Sequence, residues 1–70
     1  MDYESTQYEC DIWAGHIVIT DKETGRCGIV QLRDAVTGRD VTRRELLSSI
    51  RTHGVERALH TFARLVGEWK

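Results

Sequence analysis

The sequence predicts a two-layer α+β domain: a small antiparallel three-stranded sheet, a β-meander, followed by two C-terminal helices packed on one face. Three observations carry this reading. Residues 55–69 place apolar side chains at helical spacing. Residues 43–53 lie between a helix-start pattern and a glycine. Residues 8–33 alternate with a period of two and are followed by, or contain, two copies of the turn pattern D-x-x-T-G-R. Residues 1–7 read as an N-terminal tail and residues 8–70 as one domain.

The strands come first. Tyr8, Cys10 and Ile12 point one way, and Glu9, Asp11 and Trp13 the other. The phase slips at Ala14-Gly15, after which Ile17 and Ile19 form the apolar set. A two-residue hairpin here would need positive φ at Ala14, which alanine resists, so one bent strand over about 8–20 is preferred to two. Asp21–Arg26 and Asp34–Arg39, thirteen residues apart, predict two hairpin turns of similar geometry. They bound strands at about 26–33 and 39–41. Centring the first hairpin on its turn sets Ile19 opposite Cys27 and Ile17 opposite Ile29. The inner face then reads Tyr8, Cys10, Ile12, Ile17, Ile19, Cys27 and Ile29. The outer face carries Trp13, His16, Val18, Val30 and Leu32 beside Glu9, Asp11 and Thr20.

The helices follow. Thr42 fits an N-cap, with Glu45 completing a capping box and Val41 and Leu46 forming a hydrophobic staple. Leu46, Leu47 and Ile50 give helix 43–53 its apolar side, and Gly54 ends it. In helix 55–69, Val55, Ala58, Leu59, Phe62, Leu65, Val66 and Trp69 form a stripe at period 3.6.

Composition narrows the function classes. The chain has 70 residues, 40% of them hydrophobic, which suits one small globular domain. No apolar run exceeds three residues, so no membrane span is expected, and the acidic start Met1-Asp2-Tyr3-Glu4 does not read as a secretory leader. A cytoplasmic location is the expectation. The formal net charge of −1 hides a sharp asymmetry. Residues 1–24 hold six acids against one lysine, net −5, and residues 25–70 hold eight arginines and Lys70 against five acids, net +4.

Chemistry-bearing motifs are absent. Cys10 and Cys27 are expected as buried, reduced thiols on the inner face. Neither they nor His16, His53 and His60 have the spacing of a zinc site, so no metal and no other cofactor is expected. There is no glycine-rich phosphate loop and no nucleophile elbow. No catalytic residue and no small-molecule substrate is therefore assigned.

The expected function rests on what two helices leave uncovered. They can shield one side of a small sheet, so Trp13, His16, Val18, Val30 and Leu32 would form an exposed, partly apolar patch. The leading reading is a small protein-binding module without catalytic activity: an adaptor, an inhibitor of another protein or a homodimer, of the kind phages and mobile elements encode. The alternative is a nucleic-acid-binding accessory protein that uses Arg43, Arg44, Arg51, Arg57 and Arg64, although a pI of about 6.3 is low for such a module. A third reading, a small nuclease-like enzyme centred on His60, ranks last because no second acid or base is positioned by spacing.

Overall fold

The computed structural model describes residues 1–70 and has an antiparallel sheet followed by two helices. The sheet has four strands rather than three. They are β1 (Tyr3–Glu4), β2 (Tyr8–Trp13), β3 (His16–Asp21) and β4 (Cys27–Val30), adjacent in chain order. Helix α1 spans Thr42–His53 and α2 spans Val55–Ala63.

The additional strand comes from the expected tail. Tyr3 pairs with Cys10 and Glu4 with Glu9, so the N-terminal residues extend the sheet instead of hanging free. The short loop between β1 and β2 is tied down twice. Ser5 exchanges hydrogen bonds with Tyr8, and Glu56 of α2 accepts from both the N–H and the hydroxyl of Thr6.

Residues 8–21 form two strands, not one bent strand. Trp13 pairs with His16 across a two-residue turn. Only Gly15 has positive φ there, at 87°, and no non-glycine residue in the chain does. This is the sign pattern of a type II turn, which makes its left-handed demand on the second central residue alone. Ala14 therefore poses no obstacle.

The β3–β4 pairing differs from the expected one by a single residue. Ile19 lies opposite Gly28 and Ile17 opposite Val30, while Val18 faces Ile29 and Thr20 faces Cys27. The cause is the length of the turn. Asp21 N–H bonds to the Arg26 carbonyl, so four residues, Lys22 to Gly25, lie in the loop. One extra loop residue turns every side chain of β4 to the other face. Gly28 and Val30 point inward; Cys27 and Ile29 point outward.

The two D-x-x-T-G-R turns do share one geometry. In each, the glycine N–H bonds to the aspartate carbonyl, and the aspartate N–H bonds to the arginine carbonyl. In each, the aspartate Oδ1 accepts the N–H two residues on, and the threonine hydroxyl accepts the arginine N–H. The second turn closes on an isolated Arg33–Asp40 bridge instead of a strand over 39–41.

The start of α1 is built differently from a capping box. Val41 occupies the N-cap position without a side-chain cap, and Asp40 Oδ1, one residue earlier, accepts the Thr42 N–H at 2.8 Å. Thr42 is buried, and its hydroxyl accepts the Leu32 N–H at 2.6 Å. A partly buried N–H also needs a partner, and this one takes the Thr42 hydroxyl. Gly54, with φ 85° and ψ 161°, ends α1 and begins α2 in a single residue. That combination is open to glycine alone.

α2 is shorter than the apolar stripe. After Ala63 the bonding tightens to i→i−3 through Val66, and the last residues run along β4. Lys70 and Cys27 exchange both backbone hydrogen bonds. Trp69 stacks on Tyr8 with centroids 6.3 Å apart.

The core lies between the helices and the inner sheet face. It comprises Tyr8, Cys10, Ile17, Ile19 and Val30 from the strands, packed against Leu46, Leu59, Phe62, Ala63 and Val66. Burying an aliphatic side chain of this kind contributes about 1.5–3 kcal/mol. No helix is long and apolar enough to cross a membrane.

Candidate functional site

All helical packing is on the inner face, so the outer face of the sheet is left open. Reading across the strands, Glu4, Glu9, Thr20 and Cys27 form one row, and Asp11, Val18 and Ile29 form the next. Trp13 and His16 stand at the end, their rings nearly parallel with centroids 6.5 Å apart. The face is thus divided, with acids along β1 and β2 and aliphatic groups along β3 and β4.

Three of the five expected docking residues lie on this face. Trp13 is 59% exposed, and His16 and Val18 are half-buried. The other two do not. Val30 is 1% exposed in the core, and Leu32 is half-buried against that core. Their place is taken by Ile29, 56% exposed, and by Cys27. The difference lies at Gly25, whose φ of 74° belongs inside the turn rather than at a paired position, a distinction the turn pattern by itself does not make.

Beside Val18, Cys27 and Ile29 runs a groove of about 640 Å³. Gly67, Glu68 and Lys70 of the C-terminal segment form its other wall. Glu9 and Asp11 lie on β2, a strand spacing of roughly 5 Å from β3 and two spacings from β4. The acidic row has few cations to answer it. Lys22 contacts Glu4, and the Met1 ammonium lies 3.0 Å from Asp11. Glu9, directly opposite Glu4, has neither. Like charges facing each other across strands destabilise a sheet.

A second cleft, of about 390 Å³, is lined by Trp13, Ala14, Gly15, His16, Asp40 and Arg43. The N–H of Thr42 is the chief influence holding the Asp40 carboxyl below its ordinary range. Asp40 Oδ2 is buried without a donor, so His16 is not its hydrogen-bond partner. No serine, threonine or cysteine lines the cleft to serve as a nucleophile.

The cysteines lie on opposite faces. Cys10 is fully buried, and that burial pushes its thiol up to about 11. Cys27 faces outward, contrary to the expected inner position, because of the longer turn. No cluster of three or more His, Cys, Asp or Glu side chains could hold a metal ion. His60 is exposed on α2, edge-on to the Tyr8 ring at 5.3 Å.

Arg43, Arg44, Arg51, Arg57 and Arg64 are all exposed on the helical side. None of the eight arginines in the chain makes an ion pair; the two that exist involve Lys22 and the Met1 ammonium.

Comparison of the chain with protein-family models, with curated proteins and with solved structures finds no match.

Proposed function

We propose that this protein is a non-catalytic binding module whose docking surface is the open sheet face around Trp13, Val18 and Ile29. One observation carries the reading. Two large apolar side chains, an indole and an isoleucine, stand more than half exposed on a face that none of the protein's own elements cover. A contiguous apolar patch with a polar rim is the usual form of a protein-protein interface. Tryptophan is among the side chains that dominate such interfaces.

The test is the behaviour of two variants. Trp13→Ala and Ile29→Asp are expected to keep the wild-type fold by circular dichroism and to lose association, either with a partner protein or with another copy. Wild-type association by both variants would refute the reading.

A second reading is supported by the unpaired arginines. Eight guanidinium groups without carboxylate partners suit an anionic ligand; four of them lie on the helices, and Arg64 follows α2 directly. Nucleic-acid binding through Arg43, Arg44, Arg51, Arg57 and Arg64 would weaken steeply with salt. A titration with a DNA duplex at low salt that gives no binding would end this reading.

A further inference from the structure

We propose that the groove beside Ile29 accepts the Val36 turn of a second copy of this chain, so that copies join head to tail. The inference rests on the docking surface proposed above and adds its occupant.

Val36 is 94% exposed, the most exposed of the large apolar side chains. The backbone does not require it. The turn Asp21–Arg26 has the same hydrogen bonds and places Glu23 where Val36 stands, and Lys22 where Ala35 stands. The shared residues D-x-x-T-G-R build the turn, and the two variable positions are free. One copy fills them with charge and the other with small apolar groups. The Val36 tip is also held firmly. Asp34 Oδ1 accepts the N–H groups of Val36 and Thr37, and Arg33 donates to the Gly38 carbonyl. A pre-ordered loop loses little freedom on docking.

The chemistry of tip and groove is complementary. The tip is a valine flanked by Arg33 and Arg39, neither of which is ion-paired. The groove is floored by Val18, Cys27 and Ile29, with Glu68 and Lys70 on one wall; beyond the other lie Asp11, which meets the Met1 ammonium, and Glu9, which has no cation. Pairing the sheet face with the same face of another copy is disfavoured. It would set Glu4, Glu9 and Asp11 against their counterparts or bury them on aliphatic groups. A tip-into-groove contact joins different surfaces and need not close, so assemblies lengthen with concentration.

Sedimentation of the protein over a concentration series tests this. Wild type is expected to gain mass with concentration, and to lose it as salt rises to about half-molar, where exposed charges are screened. Val36→Glu, which repeats the residue of the sister turn, and Ile29→Asp are each expected to weaken self-association about thirtyfold or more, the loss of one hot-spot side chain. Ile29→Thr checks that a milder change acts in the same direction. An equimolar mixture of Val36→Glu, with its groove intact, and Ile29→Asp, with its tip intact, is expected to form a one-to-one dimer that grows no further. Wild type that stays monomeric overturns the inference, and the docking surface survives only if another protein binds it in an Ile29-dependent way. Loss of association in Ile29→Asp but not Val36→Glu overturns the inference and keeps the docking surface. Association unaffected by either variant overturns both.

Discussion

Gly28 lies directly beneath Val66: a Cβ placed on the glycine would stand 2.1 Å from Val66 Cγ1. This contact lets the chain after α2 settle on β4. It also accounts for a glycine at an inward position of a strand, where it would otherwise weaken the pairing. With Gly28 and Val30 inward, Ile29 has to point out.

Gly28→Ala is therefore expected to destabilise the fold by about 1–3 kcal/mol, the usual cost of overfilling a packed site. A urea-unfolding midpoint measures it. Val66→Ala in the same chain should recover part of the loss, because it removes the atom in closest conflict but leaves Val66 Cβ at 3.1 Å. A Gly28→Ala protein as stable as wild type would mean that the two residues do not touch.

Thr42→Val should cost about 1–3 kcal/mol, since it leaves the Leu32 N–H without its acceptor. Thr42→Ser should be much milder. Glu45→Ala should change stability by less than about 0.5 kcal/mol, because the first N–H of α1 is met by Asp40 and not by a capping box. Equal losses for Thr42→Val and Glu45→Ala would restore the capping-box reading.

Acid should weaken the fold through Glu56, Asp34 and Asp40. Each carboxyl is held below its ordinary value: Glu56 chiefly by the Thr6 hydroxyl, Asp34 by the Thr37 N–H, and Asp40 by the Thr42 N–H. A depressed carboxyl in the folded state contributes stability that is present above its ordinary value, 4.5 for Glu56 and 3.8 for the aspartates. That contribution is lost as pH falls through the lower folded value. Unfolding free energy measured from neutral pH downward should therefore begin to fall near these values. Glu56→Gln should flatten the upper part of the decline; an unchanged curve would show that the Thr6–Glu56 contact contributes nothing.

Thiol labelling should separate the two cysteines. Cys10, buried and with its thiol pushed up to about 11, should not react with a disulfide reagent at pH 8 while the protein is folded. Cys27 should react, and Cys27→Ser should abolish the fast phase. Two equally fast thiols would contradict the facing of the strands.

Much of this arrangement was legible in the sequence, and the misses have identifiable causes. The alternation of Tyr8, Cys10 and Ile12, then of Ile17 and Ile19, gave the inner face of β2 and β3 because burial on one side imposes a period of two. The stripe Ala58–Leu59–Phe62 likewise marked α2. The repeat D-x-x-T-G-R announced two alike turns, but it did not say whether glycine counts as a loop or a strand residue. That one-residue ambiguity exchanged Val30 for Ile29 on the candidate surface. The pairing of Tyr3 with Cys10 was hidden because a two-residue strand has no periodicity to display. Gly28 could not be explained without Val66, which lies far along the chain.

The most direct measurement is a paired substitution on neighbouring residues of β4. Ile29→Asp should leave the unfolding free energy within about 0.5 kcal/mol of wild type and abolish association, since its side chain stands on the open face. Val30→Asp should unfold the protein, since it would place a carboxylate in the core. A folded Val30→Asp protein that has lost association, beside an unfolded Ile29→Asp protein, would show that the open face is the one assigned here to the core.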